Sequence, residues 1–173
     1  MPLPSGLPGQ VADDETVARH VFTDRHISSD AKDHRKKWAK AQAFLPLFDG
    51  HNWVFSVSRT LDLKDAEAIQ RNGMDIGQVS GRTYKGSALL TAKQVRSTAM
   101  KSGEGGELQN LDVLPHEAAD GSTPYHAHVT GFLPLPEGAN MKEYFKEASM
   151  DLERHAKEQA FVVPPPPQEE TGL

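Results

Sequence analysis

The stretch from residue 124 to residue 134 constrains the fold more than any other, because its polar and apolar side chains alternate with a period of two between two prolines. Such alternation predicts a β-strand, here over residues 125–133, whose two faces differ in character. Since one face lines up two imidazoles and a hydroxyl, we expect this strand to form the floor of a functional site. That face carries His126, His128, Thr130 and Phe132, and the other carries Tyr125, Ala127, Val129 and Gly131.

A second strand is predicted from Asn52 to Leu61, and it follows the apolar segment 44–48 through the turn-forming pair Asp49-Gly50. Two extended segments joined in this way are typical of a β-hairpin. Arg59 shares the aromatic face of this strand, near its end. Two interpretations are open for it: an arginine that extends its head group to solvent at the sheet rim, or a clamp for an anion.

Helices are predicted where apolar residues recur at helical spacing after a capping residue. The clearest begins at Asn140, which with Glu143 has the spacing of a capping box. The predicted helices cover residues 30–43, 62–72, 92–101 and 140–159, and further short strands are predicted at 17–23, 107–114 and 160–163.

With 173 residues, the chain is expected to form one domain. We predict a single α+β domain over 16–163, with a mixed or largely antiparallel sheet of about four to six strands covered by about three or four helices. The strands near 53–59, 108–114 and 125–133 should be neighbours, with the 140–159 helix over one face. Residues 1–15 are expected to be a flexible N-terminal tail, and residues 164–173 a Pro-rich, acidic C-terminal tail.

The composition excludes several kinds of chemistry. The chain has no cysteine, so disulfides, thiolate catalysis and zinc–thiolate sites are ruled out. No apolar run is long enough for a membrane span, and the first ten residues lack the features of a signal peptide. The expected location is therefore the cytoplasm of a bacterium or similar cell. A net charge of −5 argues against a general nucleic-acid binder but leaves room for a local basic pocket.

Basic residues concentrate between residues 32 and 40, in the segment predicted as a helix. This helix is either a solvated surface element or a patch that contacts phosphate groups. The segment is the natural place to look for an anionic partner such as a nucleotide. The candidate ligand-binding residues are Arg25, Lys36, Lys37, Tyr125 and Thr130.

The two histidines of the central strand are also candidate metal ligands. Side chains two residues apart on a strand share a face and lie about 7 Å apart at the backbone. His126 and His128 could therefore hold one edge of a divalent metal site, with a third ligand from elsewhere. The alternative is that one histidine is buried and hydrogen-bonded while its neighbour faces solvent. The candidates for the third ligand are His26, His116, Asp112 and Asp120.

A metal-free reaction uses the same residues. Two histidines can act as general base and general acid on a phosphodiester, with Arg59 stabilising the charge that develops. The tripeptides His26-Ile27-Ser28 and His128-Val129-Thr130 are similar to the motifs of the two-histidine phosphoesterases, which lie on facing strands. The likeness covers under a tenth of the chain. The resemblance implies three catalytic residues that act together: His26, one of His126 and His128, and Arg59.

Two classes of function therefore remain. The first is a small accessory or binding protein that recognises an anionic ligand, with the run from Pro164 to Pro167 as a possible docking segment for a protein partner. The second is a phosphoesterase or nuclease, metal-independent or metal-assisted. An enzyme predicts that His26, His126, His128 and Arg59 converge in one pocket, and an accessory protein predicts that they are scattered.

Overall fold

The computed structural model describes residues 9–60, 65–101, 106, 108–116 and 125–166. The strands are β1 (Thr16–Val21), β2 (Ile27–Ser29), β3 (Lys37–Ala39), β4 (Leu47–Phe48), β5 (Trp53–Arg59), β6 (Gly86–Thr91), β7 (Ala99–Lys101), β8 (Leu108–Asn110), β9 (Asp112–Pro115) and β10 (His126–Thr130). The α-helices are α1 (Ala66–Ser80), α2 (Ala92–Ser97), α3 (Met141–Tyr144) and α4 (Lys146–Lys157), and short 3-10 helices cover Asp24–His26 and Ala41–Phe44.

One antiparallel sheet organises this part of the chain, with strand order β6-β1-β5-β10-β9 and β4 paired with β5. Strands β2 and β3 form a separate two-stranded ribbon, as do β7 and β8. The predicted α+β class, the strand count and the number of helices are confirmed. The predicted adjacency of the strands near 53–59, 108–114 and 125–133 holds for β5, β10 and β9, but residues 108–110 form β8, which pairs with β7 instead.

The main core lies on one face of the sheet, between the sheet and α4. Phe55 and Val57 from β5 and Ala127 and Val129 from β10 pack there with Leu152 of α4. Helix α1 covers part of the other face, where Ala18, Ile69 and Val162 form a small second cluster. Every second residue of β10 therefore points away from α4, as the alternation along that strand predicts.

Several predicted elements have different bounds. The segment from residue 30 to residue 43 is not a helix; it forms a turn, strand β3 and a 3-10 helix. Its alternation of exposed Lys37, half-buried Trp38 and buried Ala39 pairs it with β2 instead. Helix α1 begins later than predicted, at an N-cap by Asp65, and continues through Asn72 and Gly73 to residue 80. The hairpin at Asp49-Gly50 is confirmed.

The chain outside the predicted domain also contributes packing. Val11 and Glu15, which fall in the stretch predicted as a tail, are buried. The amide nitrogen of Gln70 donates to the Val163 carbonyl at 2.6 Å, close to the predicted end of the domain. Residues 1–8 and 167–173 lie outside the described residues, so the nature of the two tails stays a prediction. In the described part of the chain, no helix has the length and apolarity needed to cross a membrane.

Candidate metal centre

Strand β10 presents two histidines on the face of the sheet that α4 does not cover. Ala127 and Val129 are fully buried in the core, whereas His126 and His128 are half-buried on the opposite side. Thr130 lies on the same side, one step further along the strand. The sequence prediction for the two faces of this strand is therefore confirmed over residues 126–130.

A third histidine arrives from the neighbouring strand. In the antiparallel pairing of β9 with β10, Pro115 lies opposite Ala127. The next residue, His116, is consequently opposite His126, and its backbone N–H donates to the His126 carbonyl at 2.9 Å. His116 was one of four candidates for the third ligand, and the strand register selects it. Residues 117–124, which connect the two strands, are outside the described residues.

The three imidazoles form a compact group. The rings of His116 and His128 stack with centroids 3.8 Å apart and an interplanar angle of 15°. The ring of His126 stands edge-on to both, at 5.2 Å from His116 and 4.9 Å from His128. One nitrogen from each ring lies within 4.8 Å of one nitrogen from each of the others. Tetrahedral zinc with bonds of about 2.0–2.1 Å needs nitrogens about 3.4 Å apart, so the stacked rings of His116 and His128 have to turn away from each other to bind one ion.

The electrostatics of the group favour neutral rings. Burial lowers the pKa of His126, and the charge of His116 lowers it further, although the backbone hydrogen bond with His116 opposes the shift. Burial also lowers the pKa of His128 to about 4, with smaller contributions from His116 and His126. A neutral imidazole has a free nitrogen lone pair, which is the form that binds a metal ion. At pH 7, therefore, the two β10 histidines need lose no proton to become ligands.

The turn between β4 and β5 approaches the histidines from one side. Asp49 Oδ1 accepts hydrogen bonds from the backbone N–H groups of His51 (2.8 Å) and Asn52 (2.7 Å). These two bonds are the main reason that the pKa of Asp49 is lowered, and the charges of His51 and His128 add to the effect. In return, the Asp49 carboxylate partly opposes the lowering of the His128 pKa. Asp49 thus places a negative charge within electrostatic range of the candidate centre.

The surface next to the histidines is open and mildly polar. Ser56 lies opposite His128 in the pairing of β5 with β10, and it is exposed. Leu114 of β9 lies on the other side of His128 and is 49% exposed. Ser58, opposite His126, is buried, and its hydroxyl hydrogen-bonds to His20 Nε2 at 3.1 Å. The described neighbours of the centre on β5 and β9 therefore leave access from solvent above His128.

Arg59 is not part of this group. It belongs to the core face of β5, is fully buried, and forms a bidentate ion pair with Glu15. Its Nε lies 2.7 Å from Glu15 Oε1, and its Nη2 lies 2.9 Å from Glu15 Oε2. Neither sequence interpretation describes this geometry: the guanidinium does not reach solvent, and its described ion-pair partner is Glu15. The expected convergence of Arg59 with His126 and His128 is wrong.

His26 also lies apart from the three histidines. Its carbonyl accepts the backbone N–H of Lys40 at 2.7 Å, which ties it to the region beside the β2–β3 ribbon. Burial lowers the pKa of His26, and the charges of Arg19 and Lys40 lower it further. The two His-x-(Ser/Thr) tripeptides consequently do not face each other on paired strands: Ser28 pairs with Trp38, and Thr130 pairs with Asp112.

The remaining candidates are dispersed. Tyr125 precedes β10, and its carbonyl accepts the Arg59 backbone N–H at 2.7 Å. Asp112, opposite Thr130 in the pairing of β9 with β10, binds Arg96, with Oδ1 at 2.8 Å from Nε. Asp120 lies outside the described residues. The cations Arg25, Lys36 and Lys37 are exposed on or beside the β2–β3 ribbon.

Sequence reasoning missed a buried hydrogen-bond chain on the α1 side of the sheet. His20 Nδ1 lies 2.7 Å from Ser87 Oγ, which in turn lies 2.6 Å from the Tyr84 hydroxyl. His20 Nε2 lies 2.7 Å from Asn72 Oδ1. Burial lowers the pKa of His20 to about 4, although the bond to Asn72 opposes that shift. The serine and the histidine are buried, so the chain has the character of a structural network.

The chain matches none of the protein-family models, curated proteins or solved structures with which it was compared. The class of site therefore follows from the local geometry alone: three histidines gathered on the open face of an antiparallel sheet.

Proposed function

We propose that this protein binds a divalent transition-metal ion of the zinc type through His116, His126 and His128. The observation that carries the proposal is the approach of one nitrogen from each ring to within 4.8 Å of the others, on a face that solvent reaches. An all-imidazole ligand set suits zinc, copper and nickel better than magnesium or calcium, which prefer oxygen ligands. The choice of zinc follows from the three-nitrogen set on a rigid sheet.

A site with three protein ligands differs from a structural zinc site, which uses four. If no residue outside the described part of the chain completed this set, a bound zinc ion would keep a position for water or a substrate oxygen, and zinc lowers the pKa of bound water to about 7. A position of that kind would support metal-assisted hydrolysis, with a phosphoester as the substrate class to test first. The exposed hydroxyl of Ser56 and the carboxylate of Asp49 are the described groups best placed to orient a ligand there.

The metal-independent mechanism has less support, because the residues that it needs lie apart. His26 is not a member of the group of three histidines, and Arg59 is buried on the other face with Glu15. A simple binding role remains compatible with the same centre, since a metal with an open position also binds an anionic ligand. Activity measurements separate these two outcomes.

The first experiment is a titration of the purified protein with zinc at pH 7.5, monitored by competition with a chromophoric chelator. We expect one equivalent to bind, and His116→Gln and His128→Gln each to weaken binding by more than about 100-fold, because loss of a ligand costs more than loss of an outer-shell partner. His34→Gln and His155→Gln are matched controls, since these histidines lie outside the group.

If His116→Gln and His128→Gln both bound zinc as tightly as wild type, the proposed metal site would be wrong. Circular dichroism and thermal unfolding of metal-free samples exclude misfolding as the cause of any loss. The hydrolytic part is tested with a chromogenic phosphodiester. Turnover should require zinc and disappear in His128→Gln, and zinc binding without any turnover would leave a metal-dependent binding protein.

A further inference from the structure

The β2–β3 ribbon and the residues beside it carry a marked excess of positive charge. Residues 25–40 contain six lysines and arginines against two aspartates, a formal charge of +4 in a protein whose net charge is −5. The rest of the chain therefore carries a formal charge of −9. Such a local excess of positive charge can attract an anionic partner at a distance.

The structure projects these cations into solvent. Residues 31–37, which form the tip of the ribbon and the start of β3, are all exposed. Asp30 Oδ1 accepts the backbone N–H groups of Lys32 (2.8 Å) and Asp33 (3.1 Å), and this bonding fixes the turn. Asp33 lies 3.3 Å from Arg35 in an exposed pair, which neutralises little of the surrounding charge. Lys32, Lys36 and Lys37 are left on the tip.

The base of the ribbon is anchored to the domain. Ala39 is fully buried in the main core. The indole N–H of Trp38 donates to Glu153 of α4 at 3.2 Å, and the Lys157 ammonium lies 4.1 Å from the centre of the Trp38 ring. These contacts hold the ribbon against α4, so its charged tip projects from a rigid support.

We propose that the β2–β3 ribbon binds the phosphate backbone of a nucleic acid. A two-stranded ribbon is narrow enough for the major groove of a duplex, and its cations are spaced along one exposed turn. An anionic membrane is a poorer fit, because the tip carries no exposed aromatic or large aliphatic side chain and Trp38 is held by Glu153. Because the contacts are charge contacts, binding should show little sequence preference.

This surface is separate from the candidate metal centre. The ribbon packs with α4, which covers the core face of the sheet, whereas His126 and His128 project from the opposite face. A variant of one site should therefore leave the other intact. The two proposals can fail independently.

The experiment measures binding of a labelled random-sequence duplex of about 20 base pairs by fluorescence anisotropy at two salt concentrations. The test variant replaces Lys32, Lys36 and Lys37 with glutamine. The matched control removes the same charge elsewhere, by replacing the exposed Lys93, Lys142 and Lys146 with glutamine. Zinc is omitted throughout, so that failure of the metal centre has no effect on the result.

We expect the wild type to bind at low salt, the control to bind almost as well, and the ribbon variant to bind more weakly. Each lost phosphate contact reduces the salt slope by about 0.9, so the advantage of wild type over the ribbon variant should shrink about 40-fold between about 50 and 200 mM salt. Equal weakening of both variants would show a general charge effect and overturn the proposal. So would equally tight binding of polyglutamate or of phosphatidylserine vesicles, which are competing anionic partners.

Discussion

At the scale of single residues, the buried ion pair of Arg59 and Glu15 gives the most direct stability test. Both side chains are almost completely removed from solvent. Glu15→Gln removes the carboxylate charge that pairs with the buried guanidinium, so we expect a loss of about 3–5 kcal/mol in the free energy of unfolding. Urea denaturation measures this loss. Asp33→Asn is the control because its exposed pair with Arg35 should contribute less than about 1 kcal/mol; similar losses in both variants would contradict the expectation.

His20 sets a pH dependence that also belongs to this scale. Its pKa in the native protein is about 4, below the ordinary value of 6.5. The unfolded chain therefore takes up a proton between pH 6.5 and pH 4 while the native protein does not, and stability falls as the pH falls through that window. Above pH 6.5 both states are neutral and the contribution is constant. For this buried side chain the difference amounts to about 3 kcal/mol.

The measurement compares the free energy of unfolding of wild type and His20→Gln from pH 7 to pH 4. The variant should be less stable at pH 7, because it loses hydrogen bonds to Ser87 and Asn72. The gap between the two proteins should narrow as the pH falls. His128 also has a pKa of about 4, but it is present in both proteins and its contribution cancels in the comparison. A gap that stays constant with pH would contradict the assigned pKa.

At the scale of elements, helix α1 depends on a glycine in its middle. A Cβ atom at Gly73 would lie 2.4 Å from Tyr84 Cε2 and 3.0 Å from His20 Nδ1. Gly73→Ala should gain about 1 kcal/mol of helix propensity but lose about 1–3 kcal/mol through overpacking, so we expect a net loss of stability in thermal unfolding. Asp75→Ala, at an exposed position of the same helix, should cause no such loss. A stabilised Gly73→Ala protein would show that α1 can move away from Tyr84.

The same helix shows where sequence patterns reach their limit. Asn72 and Gly73 look like a helix end, because glycine often follows the last turn. In the structure, that glycine instead gives Tyr84 room to approach, which depends on a residue from a different element. The helix predicted over residues 30–43 was wrong for a related reason. Its lysines and alanines favour a helix locally, but burial of Ala39 and the pairing with Ile27 select a strand.

The sequence predicts those parts of the candidate site that lie close together along the chain. The period of two along β10 was enough to place His126 and His128 on one face, away from the core. His116 is ten residues earlier in the chain, and only the register of β9 against β10 brings it opposite His126. The partner of Arg59 is more distant still, at Glu15, in a stretch that the composition marks as a tail. Contacts of this kind depend on tertiary pairing, which a single sequence does not display.

At the scale of the whole molecule, the sheet separates two candidate sites. The histidines occupy the face away from α4, and the basic ribbon packs beside α4. Positive charge is concentrated at the ribbon, because residues 25–40 carry a formal charge of +4 in a chain whose net charge is −5. This arrangement favours docking through one end, which leaves the histidine face open to a different ligand.

Independence of the two sites gives the last prediction. Zinc at about 100 times its dissociation constant should stabilise the protein by about 2.7 kcal/mol, which for a chain of this length raises the melting temperature by roughly 5–10 °C. The protein with Lys32, Lys36 and Lys37 replaced by glutamine should show the same rise, because distant sites without shared contacts contribute additively. Conversely, the duplex affinity of His128→Gln should equal that of wild type. A smaller zinc-induced rise of the melting temperature in the ribbon variant would show that the two sites are coupled through the sheet. Weaker duplex binding by His128→Gln would show the same. Nucleic acid would then become the first candidate for the substrate of the metal site.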